Sequence, residues 1–199
     1  MPKNTFFNLP DEKKDKIIDA AINEFSQNHY GKITIDKIVK KAEIPKGSFY
    51  QYFENKDDLY IYLFSQIGDK KKNILEKAKE NIEQMYFKSY IILLLEEGSK
   101  FDNKDIKLVN LKDKFINECP QEIRKEILRN EYPKSYDLLI EVIKLYIKKG
   151  ELRANLDMET TAYIITQCMA NIEFYNTEES IGIKELGERI LDSIIEGVK

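Results

Sequence analysis

The sequence predicts an all-α protein of about nine helices, an N-terminal head of three helices followed by a larger helical body. Three observations predict it. Apolar residues recur three and four positions apart through most of the 199 residues, the spacing that lines one face of a helix. No stretch alternates apolar and polar residues as a half-buried strand would, and neither an internal repeat nor a low-complexity linker interrupts the pattern. Proline, glycine and capping residues stand between the periodic runs, where helices end and begin.

The first helix opens after Asn8 and Pro10 on the acidic turn Asp11 and Glu12, carries Ile17, Ile18, Ala21, Ile22 and Phe25, and ends before Gly31. Thr34 stands just ahead of Ile35, Ile38, Val39 and Ala42, so its hydroxyl can accept a backbone N–H and start a second helix of about two turns. Ile44 is an isolated apolar residue between Glu43 and Pro45, and Pro45, with fixed φ and no N–H, suits the first position of a third helix. In that helix Phe49 and Phe53, four apart, anchor one face and leave Lys46, Ser48, Tyr50, Gln51 and Tyr52 for the others. Gly47 adds no bulk there, and glycine in a helix costs up to roughly 1 kcal/mol against alanine, which suggests that something approaches the backbone at that point.

Asn55 can cap a fourth helix that carries Leu59, Tyr60, Leu63 and Ile67 and continues toward Glu80. Ile82 to Glu97 is apolar on most sides, closed by Gly98, and predicts a central helix of the body. Pro120 and Pro133 mark helix starts after loops; the run after Pro133 carries Leu138, Leu139, Val142, Ile143, Tyr146 and Ile147 and finishes Lys148, Lys149, Gly150, a C-terminal signature. Asp157 caps the next helix, through Tyr163, Ile164, Ile165, Cys168, Met169 and Ile172, and a final helix bears Ile183, Leu186, Ile190, Leu191, Ile194 and Ile195.

From Thr34 to Lys56 the chain, TIDKIVKKAEIPKGSFYQYFENK, therefore reads as two short helices, a tight turn and an aromatic-polar face, the parts a reader of the DNA major groove needs. This run, above all KGSFYQYFENKDDL preceded by KIIDAAINEFSQNHYGKITIDKIVKKA, resembles the helix-turn-helix of the TetR/AcrR family of transcriptional regulators over the first 60 or so residues. The resemblance implies that Lys46, Gly47, Ser48, Tyr50 and Gln51 face the groove and that Thr34, Tyr52 and Lys56 anchor phosphates. The chemistry agrees, since glutamine bonds adenine edges, serine is permissive, and lysine reaches guanine or phosphate. Two positions depart from the family pattern. Glu43 replaces the usual turn glycine, so that either the turn is strained, at about 1 kcal/mol, or its geometry differs; Pro45 replaces a frequent capping Ser or Thr. Two ordinary core helices are the bland alternative, and it accounts for Phe49 and Phe53 but not for the polar-tipped side chains beside them.

The resemblance divides the chain into a DNA-binding domain over 1–56 and a ligand-sensing, dimerising domain over 57–199. It implies a dimeric, ligand-responsive repressor on a palindromic double-stranded operator, released by a small apolar or aromatic inducer. Tyr86, Phe87, Tyr90, Phe101, Phe115, Tyr136, Tyr146 and Phe174 are candidates to line the ligand pocket and read equally well as core. The last two helices, with Tyr163, Ile183, Leu186, Ile190, Leu191 and Ile194, are the candidate dimer interface. Small residues Ala162, Ala170, Gly182 and Gly187 would admit a close helix there, with intramolecular packing as the alternative.

Charge and composition bound the rest. The net charge is −3, yet from His29 to Lys56 six lysines face three acids, so phosphate attraction is concentrated in the head and one subunit should bind weakly. The longest apolar run, Tyr90 to Leu95, is far too short to span a bilayer, and MPKNTFFNLPDEKKD lacks a signal-peptide core; a cytoplasmic protein without membrane association is expected. Cys119 and Cys168 read as free thiols, and the single His29 has no partners for a metal site. No nucleophile with a base, no metal cluster and no phosphate-cradling loop is found among the eight scattered glycines, so neither enzymatic activity nor a cofactor is expected. A helical protein-interaction module with a vestigial helix-turn-helix is the alternative function.

Overall fold

A computed structural model describes residues 1–175 and 181–198. Ten α-helices and three short 3₁₀ turns form the described residues, with no strand among them. The helices are α1 (Asn4–Phe7), α2 (Asp11–Gln27), α3 (Ile35–Lys41), α4 (Lys46–Tyr52), α5 (Lys56–Lys77), α6 (Phe87–Asn103), α7 (Ile106–Asn117), α8 (Gln121–Lys148), α9 (Met158–Ala170) and α10 (Ile183–Val198). Two of them, α1 and α7, go beyond the sequence reading. The first is held by Phe6, which is fully buried; the second is capped by Asp105, which accepts from the Lys107 amide at 2.8 Å, and buries Leu111.

Two compact units divide the chain, Met1–Asp69 with Asp102–Asn130 and Lys70–Phe101 with Glu131–Lys199. In the first, α2 lies against α3 and α7, and α4 against α1 and α3. Its core gathers Ile17, Ala21 and Phe25 of α2, Ile38 of α3, Phe49 and Phe53 at α4, Leu59 and Leu63 of α5, Leu111 of α7 and Ile127 of α8. In the second unit Phe87, Tyr90 and Ile91 of α6 meet Leu138, Val142, Ile143 and Tyr146 of α8, Ala162 and Ile165 of α9, and Leu191 of α10. The Tyr146 hydroxyl donates to the Ile82 and Met85 carbonyls, each at 3.0 Å, and so fastens the 3₁₀ turn Ala78–Gln84 to α8.

Three punctuation marks act differently from their sequence reading. Gly98 does not close a helix; α6 begins at Phe87 and runs through Gly98 to Asn103, and a β-carbon at Gly98 would lie 3.2 Å from Lys71 Cε, the far end of a flexible side chain. Pro133 does not start a helix but lies inside the 28-residue α8, where it withholds the N–H that would have bonded the Arg129 carbonyl. Pro45 caps α4 rather than occupying its first turn, with φ −62° and ψ 143°. Gly150 behaves as expected: φ is +77°, Gly150 N–H donates to the Ile147 carbonyl and Glu151 N–H to the Tyr146 carbonyl, the double closure of a helix C-terminus.

Candidate nucleic-acid interface

The recognition segment is built from two seven-residue helices that cannot stand alone, since isolated helices need about 12 to 15 residues even to be marginal in water. Both are therefore held by caps and by burial. Thr34 is the N-cap of α3, its hydroxyl accepting from the Lys37 amide at 3.4 Å. At the other end Glu43 has φ +55°, and the Ile44 amide reaches back to the Val39 carbonyl at 3.1 Å. The turn thus keeps the geometry that favours glycine and carries it with a glutamate, at a cost of roughly 1 kcal/mol. Ile44 follows into the core and fixes the direction of the chain into α4.

Along α4 the faces separate cleanly. Phe49 and the following Phe53 are fully buried, Tyr52 is 5% exposed, and together they hold the helix to the core. Lys46, Gly47, Tyr50 and Gln51 are exposed on the outer side, Tyr50 by 45%, with Ser48 half-buried at the margin. A β-carbon added at Gly47 would meet nothing within 4 Å, so the protein itself makes no use of the missing side chain. The Lys46 ammonium pairs with the Asp36 carboxylate across the turn at 2.8 Å, and that hydrogen bond holds Lys46 above the usual lysine pKa. Lys32, Lys37 and Lys40 are exposed nearby, while Lys41 pairs with the buried Glu24 at 3.4 Å.

Two of the presumed phosphate anchors are less free than the sequence suggests. The Tyr52 ring is buried beside Phe6, which meets it edge-on at 6.2 Å. The Lys56 ammonium donates to the Tyr30 and Ile33 carbonyls at 2.9 and 3.2 Å and lies over the Tyr30 ring, leaving one of its three protons for an outside acceptor. His29 is exposed, its Nδ1 accepting from the Gly31 amide at 3.1 Å, so it caps the 3₁₀ turn that leads into Thr34.

The other candidates fall in several places. Phe87, Tyr90, Phe101 and Tyr146 are buried and Tyr136 half-buried, whereas Tyr86 and Phe174 are 77% and 57% exposed, and Phe115 belongs to the first unit, its ring tilted against Phe64 with centroids 4.6 Å apart. Tyr90 is buried with a hydroxyl that meets no hydrogen-bond partner among the described residues. On the last two helices Leu191 and Leu186 turn into their own unit, Ile190 and Ile194 are half-buried, and Tyr163 and Ile183 are exposed together with Ile164 and Tyr175. The close approach at Gly187 is to α6 of the same chain, with Leu95 Cδ2 only 2.6 Å from where a β-carbon would stand. Cys119 is a buried free thiol, pushed up to about 11 chiefly by burial, and Cys168 is a half-buried free thiol. Among the described residues no group of side chains could hold a metal ion, and no helix is long and apolar enough to cross a membrane.

The chain is similar in sequence and in fold to known proteins. Residues 17–63 match the family described as bacterial regulatory proteins, tetR family. The fatty acid metabolism regulator protein of Bacillus subtilis (strain 168) is 25% identical over 187 residues, which is 92% of this chain and 94% of that protein. The negative transcriptional regulator of the biofilm operon icaADBC, IcaR, of Staphylococcus aureus (strain Newman) is 31% identical over 131 residues, 62% of this chain and 69% of its own length. In fold, the chain resembles the transcriptional regulator FadR of Bacillus subtilis, solved in complex with stearoyl-CoA, with a TM-score of 0.66 at 22% identity over 93% of this chain and 99% of that one. The chain belongs to the tetR family of bacterial transcriptional regulators.

Proposed function

We propose that the protein is a repressor that binds a palindromic DNA operator as a homodimer and is released by a small apolar molecule. The observation that carries the reading is the outer face of α4, where Lys46, Gly47, Tyr50 and Gln51 project from a helix short enough to enter a major groove while its other face is fixed in the core. Residues 1–56 supply the reading head, with Thr34 and the remaining proton of Lys56 directed to phosphates, and 57–199 supply sensing and dimerisation. The head's small excess of positive charge makes one head a weak binder, which favours two per molecule; exposed Tyr163, Ile164 and Ile183 offer an apolar surface for the second copy.

A fatty acyl chain is the first ligand class to test. Support comes from the stearoyl-CoA complex of the Bacillus subtilis relative and from the apolar second core, where the Tyr90 hydroxyl would find its missing partner in a ligand's polar end. Ligand and operator would then weaken each other's binding reciprocally.

Selection of duplexes from sheared genomic DNA at about 0.15 M salt tests the reading. Enrichment of a palindromic site, lost on adding stearoyl-CoA, is expected. A folded protein that enriches no site defeats the operator reading and brings the protein-interaction module forward; a site that stoichiometric acyl-CoA leaves bound defeats the ligand assignment alone.

A further inference from the structure

The last four carbonyls of a helix have no partner within it and must find one outside. In α4 these belong to Phe49, Tyr50, Gln51 and Tyr52. The Phe53 amide closes on the Phe49 carbonyl at 2.8 Å. The other three are all taken by one distant stretch of the chain: Lys3 N–H donates to the Tyr52 carbonyl at 2.8 Å, the Lys3 ammonium to the Tyr50 carbonyl at 2.8 Å, and the Thr5 hydroxyl to the Gln51 carbonyl. Just beyond, Phe6 is fully buried against Phe53 and Tyr62, with ring centroids 4.9 and 5.3 Å away, and against Tyr52.

We infer that Lys3, Thr5 and Phe6 form a clamp that positions the reading helix, and that base discrimination by Tyr50 and Gln51 depends on it. The inference rests on the proposal that α4 reads DNA. Two of the clamped carbonyls belong to the very residues whose side chains face the groove, so a small rotation of this end of α4 displaces both tips. Beyond the clamp and the Phe53–Phe49 bond, no hydrogen bond found among the described residues closes that end: Phe53 is extended, at φ −131° and ψ 150°, and α4 has no glycine-based terminus of the kind seen after α8. The donors Lys3 and Thr5 and the buried Phe6 precede residues 17–63 that carry the family match, whereas the carbonyls they hold lie within it. The clamp is also built for adjustment without unfolding. Lys3 and Thr5 are exposed, and only Phe6 is committed to the core.

The test compares the K3M/T5V double variant, which removes two side-chain donors without touching the core, with T5S, which keeps the hydroxyl. Amide hydrogen exchange needs no DNA and reads the clamp through the fraying of the helix end whose carbonyls it holds. The amides of residues 50–53 are expected to exchange at least about tenfold faster in K3M/T5V and at the parental rate in T5S. Binding is then measured on the duplex selected by the parent, on the same duplex with one base pair changed, and on a random-sequence duplex. Discrimination between the first two should fall about tenfold in K3M/T5V, the worth of one good base contact, while random-sequence binding and its salt slope stay unchanged. Unchanged protection of residues 50–53 overturns the clamp. Lost protection with intact discrimination, or an equal fall on all three duplexes, overturns its positioning role. If the parent selects no duplex, the DNA-reading proposal fails with the positioning role, and the exchange measurement still decides whether the clamp exists.

Discussion

Replacing Gly47 by alanine separates what the protein needs from what its partner needs. Gly47 is the second residue of α4, its φ is not positive, and a β-carbon there would meet nothing within 4 Å. Within the isolated chain the substitution therefore carries no steric penalty and gains helix propensity, up to roughly 1 kcal/mol. For a chain of this size that raises the thermal midpoint by up to about 2–4 °C. If α4 enters the groove as proposed, the same methyl group stands on the outer face between Lys46 and Tyr50, against base edges and sugar-phosphate backbone. Forcing a methyl group into a close-packed contact costs about 1–3 kcal/mol, or roughly 5- to 150-fold in affinity. Thermal denaturation and equilibrium binding to the selected duplex, measured on the same preparation, should move in opposite directions. An alanine variant that binds as tightly as the parent would show that nothing approaches Gly47, and a lower midpoint would refute the open space beside it.

Further substitutions and conditions test the remaining parts. Glu43→Gly relieves the left-handed strain at φ +55° and should stabilise the protein by about 1 kcal/mol in denaturant unfolding; a loss would mean that the Glu43 side chain makes a contribution larger than the strain. Tyr163→Glu places a charge on a residue 54% exposed in the single chain, so folding should survive while sedimentation shows a monomer; a dimer of unchanged mass moves the interface away from α9. Stability should decline as pH rises beyond about 9. Burial raises the Cys119 thiol from 9.0 to about 11 and the Tyr146 hydroxyl from 10.0 to about 12, and holds Tyr30 and Tyr60 higher still, so the unfolded chain loses these protons first. The stabilisation is complete below the unfolded values and lost toward the folded ones; urea midpoints that stay level from pH 8 to about 11 would contradict it.

Long periodic runs were legible in the sequence because burial acts on them through spacing alone. The apolar faces of α2, α9 and α10 follow from their own residues, and Thr34, Asp157 and Gly150 cap or close the helices beside them. Spacing says less where a residue's role depends on what lies across from it. Gly98 and Pro133 have the chemistry of helix ends, but contacts elsewhere carry α6 and α8 through them. Four residues of α1 give no periodicity at all, and their helix exists because Phe6 finds a pocket among rings far along the chain. The same limit applies to Tyr52 and Lys56: residue type marks them as phosphate partners, whereas the ring and the ammonium are engaged within the fold.

For the reading helix this division has a mechanical meaning. Its outward residues follow from the sequence, since a seven-residue helix anchored by Phe49 and Phe53 must turn Lys46, Gly47, Tyr50 and Gln51 away from the core. Its placement does not, because α4 is too short to fix itself and takes its two ends from elsewhere. At one end Glu43 and the Lys46–Asp36 pair tie it to α3; at the other Lys3 and Thr5 hold its carbonyls. Specific binding needs side-chain tips placed to within a fraction of an ångström, whereas phosphate attraction tolerates much looser placement. Changes at either end of α4 should therefore degrade base discrimination before they weaken non-specific binding, and changes to Lys32, Lys37 and Lys40, which are exposed away from those ends, should do the reverse.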